Sequence, residues 1–231
     1  MSEPFIRHIE LLALDDRTVV ASVQDFQHHF EVTVRHDSRV VTDIDARAVR
    51  WPWSVCNEAG HELRELIGRP VGLEPHVKGA DRHCTHQLDI ASLAVRFAGL
   101  GLARRTFDIT ITGWDAPGAT AELVRDDGFC LSWTYDGTAL TSPTEFAGRS
   151  IREGFASWAR QALDPDTAEA ALLLRRALWV SPARGLDLDR FEVVAESGIT
   201  IGSCYATQPE RVHIARRNKG MARIVQPPSR Q

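Results

Sequence analysis

The sequence lacks the features of several large protein classes. It has no apolar run near the roughly 20 residues that a membrane-spanning helix needs. Its first residues, MSEPFIRHIELLALDD, carry acidic side chains where a secretory signal needs an uncharged apolar core. Only four cysteines occur in 231 residues, and without such a signal they are expected to be reduced thiols rather than disulfides. We therefore expect a cytoplasmic protein with no membrane partner.

The sequence also lacks the short motifs that identify common enzyme classes. It has no glycine-rich phosphate loop, no Gly-x-Ser-x-Gly elbow, no His-Glu-x-x-His helix and no dinucleotide fingerprint. The formal net charge is −4, which argues against a nucleic-acid partner. Residues 211–231 contain six lysines and arginines and no acidic residue, so the rest of the chain is more acidic still. We expect residues 209–231 to form a basic flexible tail.

The chain does contain alternating segments of strand and helix periodicity. Its 43% hydrophobic and 25% charged residues are typical of a globular protein. Hydrophobic spacing and turn residues predict these elements: strands at 26–34 and 40–49, a helix after Ser54 or Asn57, an interior helix from Thr85, strands at 107–112 and 129–135, helices at 155–163 and 165–179, and strands at 191–195 and 199–205. The order predicts an α+β fold. We expect a strand-helix-helix subdomain at 1–102 and a β-hairpin and helix subdomain at 103–208.

The densest group of reactive residues is His83-Cys84-Thr85-His86, at the start of the predicted interior helix. Free backbone amides and the helix dipole favour an anion there, so we expect Cys84 to be a thiolate with a pKa below about 8.5. Cys56 lies at the start of the preceding helix, in an equivalent place. His83 and His86 supply imidazoles that accept a proton, pair with a thiolate or bind a metal. This pattern predicts Cys84, His86 and Cys56 as catalytic residues, the alternative being thiols that only pack.

Arginines and tryptophans bracket the two cysteine-bearing segments. Arginine can hold a carboxylate or phosphate with two parallel hydrogen bonds, although ordinary surface charge is the simpler interpretation. Tryptophan can form the wall of an apolar pocket, or fill a core. The predicted substrate-binding residues are Arg50, Trp51, Trp53, Arg82 and Arg105. They indicate a substrate that is anionic and partly apolar.

Three other reactive residues are interpreted as structural. His28 lies on the apolar face of the first predicted strand and is assigned to the core rather than to a ligand set. Cys130 falls on the polar face of its strand, and Cys204 lies in the last predicted strand.

Several of these motifs occur together in a known family. The chain resembles an uncharacterised bacterial domain-of-unknown-function family, family 2889, through Arg50-Trp-Pro-Trp-Ser-Val-Cys56, Leu66-Ile-Gly68, Cys84-Thr-His86, Arg105-Thr-Phe-Asp-Ile109, Trp133 and Asp136-Gly137. The Cys-Thr-His triplet is the most specific of them. The resemblance extends over residues 5–195 and implies no particular activity.

Residues 20–100 are also distantly similar to NifU-type iron–sulfur scaffold proteins. The similarity rests on Val41-Thr-Asp-Ile-Asp-Ala-Arg47, the helix that Cys56 opens, and His83-Cys84 before the last apolar helix. Val23 stands where the scaffold pattern places a cysteine. The resemblance implies a NifU-like first subdomain and a mixed ligand set for zinc or iron, formed by Asp25, Cys56, His83 and Cys84.

The favoured function is a small-molecule enzyme of the hydrolase or lyase type, acting in catabolism on a carboxylate or thioester through the Cys/His site. The sequence does not choose between hydrolase and lyase, or between a bare and a metal-bound site. The alternative is a metal or iron–sulfur carrier that turns nothing over. A third hypothesis is a non-catalytic regulatory protein acting through the basic tail. A homo-oligomer is compatible with each.

Overall fold

The computed structural model describes residues 3–75, 77, 79–115 and 118–226. It contains eight strands: β1 Phe5–Asp15, β2 Thr18–Gln24, β3 His29–His36, β4 Val41–Arg50, β5 Arg104–Thr112, β6 Ala119–Arg125, β7 Cys130–Tyr135 and β8 Leu140–Ser142. They form one antiparallel sheet in the order β4-β3-β2-β1-β5-β6-β7-β8. The α-helices are α1 Thr85–Phe97, α2 Phe155–Ala162 and α3 Pro165–Val180. The predicted α+β class is confirmed.

Short 3₁₀ helices make up most of the remaining regular structure. They are Ser54–Leu66, Ala80–Arg82, Ser181–Gly185, Leu188–Arg190, Val194–Glu196 and Tyr205–Thr207. The first of these occupies the place where an α-helix was expected. None of the helices in the described part of the chain is both long enough and apolar enough to cross a membrane.

One compact unit comprises residues 9–106 and 187–224. Side chains alternate between buried and partly exposed along β2 and β3, as expected for strands with one face against a core. The buried face consists of Val19, Ala21, Val23, Phe30, Val32 and Val34. The helix α1 contacts both strands and buries its own apolar residues, among them Ile90, Ala91, Ala94 and Val95. This packing brings the start of α1 to the unit's buried core.

The connection between β2 and β3 has only four residues, Asp25–His28. Gln24 pairs with His29 at the end of the ladder, and the Asp25 amide donates to the His28 carbonyl at 2.9 Å. The Asp25 carboxylate oxygen Oδ1 accepts the amides of Gln27 at 3.0 Å and His28 at 2.9 Å. An aspartate side chain that bonds the backbone two residues on stabilises a tight turn. These hydrogen bonds between residues of the turn fix its backbone conformation.

The second unit includes residues 107–186, where local turn and capping signals are confirmed. Gly128 and Gly137 adopt positive φ angles of 89° and 101° in the turns that precede β7 and β8. Asp164 caps α3 by accepting the amides of Asp166 and Thr167, and proline occupies the first turn. Edge-to-face and tilted ring contacts join four aromatic side chains in this unit: Trp133, Phe146, Phe155 and Trp158.

Some expected elements are wrong. Residues 191–195 and 199–205 form 3₁₀ turns and bends rather than strands, and Cys204 therefore does not lie in a strand. Gly198 and Gly202 have φ angles of 71° and 79°, which interrupt extended backbone. The sequence interpretation also missed β1, β2, β6 and β8. Charged residues such as Glu10 and Glu122 occupy partly exposed positions of β1 and β6, whereas in β2 the apolar Val20 is partly exposed and blurs the alternation.

The expected basic tail is attached to the fold at several points. Residues up to 224 belong to the same unit as 9–106, so the units differ from the expected division into 1–102, 103–208 and 209–231. Val212 and Ala215 are buried, and the Arg217 side chain is 1% exposed. Arg217 is tolerated there because Asp189 Oδ1 and the Pro52 carbonyl accept its hydrogen bonds. Residues 227–231 lie outside the described part.

Candidate functional site

Three side chains that can bind a metal meet in the unit formed by 9–106 and 187–224. They are Asp25, His28 and His86, and one potential ligand atom from each lies within 4.8 Å of the other two. The His28 Nδ1 atom lies 2.9 Å from Asp25 Oδ1, and His86 Nε2 lies 3.8 Å from Asp25 Oδ2. Two imidazoles and one carboxylate form a ligand set used for zinc and for non-haem iron.

Each member of this group is held by a different local structure. Asp25 and His28 begin and end the β2–β3 turn, which places both side chains at the same end of the hairpin. His86 is the second residue of α1, whose packing on β2 and β3 brings it over the turn. The rings of His28 and His86 stack with centroids 3.9 Å apart. The side chains of Asp25, His86 and His28 are 1%, 8% and 18% exposed, so the group opens to solvent at His28.

Arg50 fixes the turn from the neighbouring strand. It is the last residue of β4 and pairs with His29, and its side chain is buried. Its Nη2 donates to the carbonyls of Asp25 at 2.6 Å and His28 at 3.1 Å, while Nη1 donates to that of Phe26 at 2.8 Å. Burial lowers the pKa of Arg50, and the negative charge of Asp25 opposes that effect.

A C-terminal segment, residues 216–224, lies against the same turn. The Arg223 amide donates to the Phe26 carbonyl at 2.9 Å, and the Met221 carbonyl accepts from Arg50 Nη1 at 3.3 Å. Arg217 Nη2 donates to the side-chain oxygen of Gln27 at 3.2 Å. Both segments of this unit, 9–106 and 187–224, therefore contribute residues that contact the turn carrying Asp25 and His28.

The expected thiolate at Cys84 is contradicted by its surroundings. Cys84 precedes the first residue of α1, and the backbone amides of Gln87 and His86 lower its pKa as expected for a helix start. Burial is the larger effect and raises the pKa of Cys84 to about 12. Burial and the neighbouring Cys84 also raise the pKa of Cys56 well above its ordinary value. The catalytic roles assigned to the two thiols stay predictions.

The implied ligand set of Asp25, Cys56, His83 and Cys84 differs from the group that the structure assembles. Within the described residues, Asp25 is the one member of that set found among three or more converging ligand atoms. His83 is buried and its Nε2 lies 3.1 Å from Glu65, while its Nδ1 has no hydrogen-bond partner in the described part of the chain. Cys84 is close enough to raise the pKa of Cys56, and Cys204 raises the pKa of both thiols.

The predicted substrate-binding residues are not equally accessible. Trp53 is 3% exposed and pairs through its backbone with Arg217, whose guanidinium lies over the Trp53 ring. Trp51 is half-buried and its carbonyl accepts from Asn218. Arg82 is exposed and Arg105 is half-buried. Arg50 holds backbone carbonyls, which gives it a different role from the one expected.

A cavity in the same unit is separate from the metal-ligating group. It has a volume of about 390 Å³, and Asp15, Asp16, His36 and Phe97 are among its lining residues. Asp25, His28 and His86 do not line it. Of the three candidate ligands, His28 is the most exposed, so solvent contacts the group at this side chain.

Sequence reasoning identified Asp25 and His86 but assigned His28 to the core. The available signal was the Asp-x-x-His spacing in a short connection before a strand. An aspartate that caps such a turn points its carboxylate at the third residue after it, which explains the contact with His28. The contact between Asp25 and His86 depends on the packing of α1 against β2 and β3, and no short sequence pattern indicates it.

Comparison with known proteins gives one match. Residues 10–97 match the model of the family described as Protein of unknown function (DUF2889), which is less than half of the chain. No curated protein and no solved structure matches the chain. The expected resemblance to an uncharacterised domain-of-unknown-function family is thus confirmed over this segment, and the NifU-type resemblance receives no support.

Proposed function

Starting from a chain whose residues 10–97 match DUF2889, a family of unknown function, we propose that it is a metal-dependent small-molecule enzyme of the hydrolase or lyase type. The metal, zinc or iron, is bound by Asp25, His28 and His86. The single observation that supports this most directly is the convergence of three ligand atoms within 4.8 Å, supplied by a turn and a helix start.

The number of ligands favours catalysis over a structural role. Structural zinc sites are closed by four protein ligands, whereas catalytic sites have three and keep a position for water or substrate. Among the described residues three candidate ligands converge, which leaves such a position, and the partly exposed His28 lies at the solvent side. A metal with an open position polarises a carbonyl or activates water, which serves both hydrolytic and lyase chemistry.

The charge around the site favours an anionic substrate. Arg50 lies against the turn, and the charge of Arg223 is near enough to lower the pKa of Arg50. Arg223 is exposed and its amide bonds to Phe26 within the same turn. Although Arg50 is bonded to backbone carbonyls, its positive charge and that of Arg223 attract anions to this surface, which favours a carboxylate or thioester substrate.

Metal carriage without turnover is the second candidate, and one observation favours it. Cys56, Cys84 and Cys204 belong to the same unit, and negative charge on Cys204 raises the pKa of both buried thiols, which places the three near one another. Soft metals such as Cu(I), and also zinc, prefer thiolate ligands. A carrier that uses these thiols would lose its metal when Cys84 is changed, whereas the proposed enzyme would lose it when Asp25 is changed.

The test is metal content and affinity of matched variants. Protein is purified under reducing conditions without chelators, analysed for metals, and titrated with Zn²⁺, Fe²⁺ and Mn²⁺ after metal removal. Asp25→Asn is the informative variant because an amide oxygen can still accept the amides of Gln27 and His28 while the charge is lost. His29→Ala is the control, since His29 adjoins His28 but lies outside the group.

We expect about one equivalent of metal in the wild type and in His29→Ala, and more than about tenfold weaker binding in Asp25→Asn and His86→Ala. Metal-dependent turnover of anionic esters or thioesters should be lost in the same two variants. Equal binding by Asp25→Asn and wild type would contradict the site. Loss in Cys84→Ser alone would favour the carrier.

A further inference from the structure

Arg50 lies outside the turn Asp25–His28 but donates hydrogen bonds to three of its backbone carbonyls. We propose that Arg50 is the positioning residue of the metal-binding group: its guanidinium holds the turn Asp25–His28 against the C-terminal segment 216–224. The proposal rests on the proposed metal site for its functional meaning, but its structural content is independent of any metal.

Four backbone carbonyls accept hydrogen bonds from the Arg50 side chain. Those of Asp25, Phe26 and His28 belong to the turn, at 2.6, 2.8 and 3.1 Å, and that of Met221 belongs to the C-terminal segment, at 3.3 Å. Each of the two terminal nitrogens serves two carbonyls. Because Arg50 binds the carbonyls of both Asp25 and His28, it sets the separation of these two candidate ligands.

The planar guanidinium is needed for this arrangement. Its two terminal nitrogens are fixed in one plane, so one side chain can bind carbonyls that point in different directions. A lysine ammonium carries three donors on a single atom and cannot span the same carbonyls. Arg50 is buried, and its contact with the Asp25 carbonyl is buried too, so water cannot readily replace Arg50 at that carbonyl.

The ligands depend on this backbone because their side chains are short or rigid. The Asp25 carboxylate is already committed through Oδ1 to the amides of Gln27 and His28 and to His28 Nδ1. A rotation of the peptide units at 25–28 therefore moves Asp25 and His28 together, away from His86. Arg50 opposes that rotation by holding the carbonyls of the same peptide units.

The C-terminal segment also supports the turn and shares the Phe26 carbonyl with Arg50. Arg217, bonded to Gln27, and Arg223, bonded to Phe26, both lie outside the segment that DUF2889 matches. The matched segment thus contains all three ligands and Arg50, but not the residues that complete the support of the turn.

Two measurements on Arg50→Ala and Arg50→Lys test the proposal. The first is Zn²⁺ affinity, measured by competition with a chromophoric chelator, with and without guanidinium ion at tens of millimolar and with sodium chloride at the same concentration. The second is hydrogen exchange at the Gln27 and His28 amides in the metal-free protein. Arg47→Ala is the matched control, because Arg47 lies on the same strand but is exposed and pairs with Glu31.

We expect Arg50→Ala to bind Zn²⁺ about 10–100-fold more weakly while remaining folded, with guanidinium but not sodium chloride restoring part of the affinity. Arg50→Lys should also bind weakly, and Arg47→Ala like the wild type. The Gln27 and His28 amides should exchange at least about tenfold faster in both Arg50 variants.

The two measurements separate the proposals. Unchanged amide exchange in folded Arg50→Ala or Arg50→Lys overturns the role of Arg50, whatever the metal result. Unchanged Zn²⁺ affinity in these variants also overturns it, provided the wild type binds. A wild type that binds no Zn²⁺ refutes the metal site, and exchange then still decides whether Arg50 positions the turn.

Discussion

The imidazole rings of His28 and His86 lie face to face, with centroids 3.9 Å apart and planes inclined by 24°. Stacking contributes packing energy that does not depend on the ring nitrogens, whereas metal binding depends on them entirely. The two contributions can therefore be separated by one substitution. This makes the pair the best place to distinguish a metal site from an ordinary aromatic contact.

His28→Phe should keep the stacked ring and remove the ring nitrogen that contacts Asp25. The turn retains the Gln27 and His28-position amides as donors to Asp25, so we expect a melting temperature within a few degrees of the wild type. Zn²⁺ affinity should fall by more than about tenfold. Calorimetry and metal titration measure the two quantities, with His29→Phe as the control. Wild-type metal affinity in His28→Phe would show that the rings only pack.

Local signals in the sequence predicted much of the framework correctly. The start of α1 at Thr85, the cap at Asp164 and the turn at Asp127-Gly128 each depend on residues within a few positions of one another. The buried alternation of β3 was equally readable, although the strand begins at His29 and not at 26. Short-range chemistry suffices for such elements.

The site could be predicted only in part, because its members meet through long-range packing. His86 was recognised as a helix-start imidazole, yet its contact with Asp25 depends on α1 lying across β2 and β3. Cys84 shows the converse. Its helix start was predicted correctly, but the local dipole is outweighed by burial, which no neighbouring residue in the sequence reveals.

The four thiols should differ sharply in their reactivity. Cys130 is exposed, whereas Cys56 and Cys84 are buried and have raised pKa values. Because the thiolate is the reactive form, iodoacetamide at pH 8 should modify Cys130 first and Cys56 and Cys84 last. Peptide mapping by mass spectrometry over time gives the order, and unfolded protein provides the reference rates. Fast modification of Cys84 in the native protein would restore the thiolate prediction.

Arg217 should contribute measurably to stability although it lies in a basic segment near the chain end. Its side chain is 1% exposed and donates to Asp189, the Pro52 carbonyl and Gln27. Removing a charged donor with such partners costs about 1.5–3 kcal/mol, so Arg217→Ala should lower the free energy of unfolding by that amount. The neighbouring Arg216 is exposed, and Arg216→Ala serves as the control in urea unfolding. Equal stability of the two variants would indicate that this segment is only loosely attached.

Low pH should weaken the attachment of the C-terminal segment 216–224 by protonating Asp189, which accepts hydrogen bonds from Arg217 and Gly220. The Gly220 amide and Arg217 lower the pKa of Asp189 in the folded protein. A carboxylate whose folded pKa lies below its unfolded value stabilises the fold above the unfolded pKa, near 4, and this contribution is lost as the pH falls through the folded pKa. Asp189→Asn should therefore reduce the stability difference between pH 7 and pH 3. An unchanged difference would mean that other carboxylates account for the acid sensitivity.

Gly60 is required where the 3₁₀ helix Ser54–Leu66 crosses β4. A Cβ atom at residue 60 would lie 2.7 Å from the Cβ of Ala46, which is closer than two carbon atoms can pack. Gly60→Ala should therefore destabilise the protein by about 1–3 kcal/mol. Ala46→Gly alone should cost about 0.5–1 kcal/mol as a glycine within a strand. In the double variant the clash disappears, so its loss of unfolding free energy should be smaller than the sum of the two single losses by most of the Gly60→Ala cost. Urea unfolding of the wild type, the two single variants and the double variant measures this difference. Additive costs would place the origin of the effect in the glycine backbone and not in the contact with Ala46.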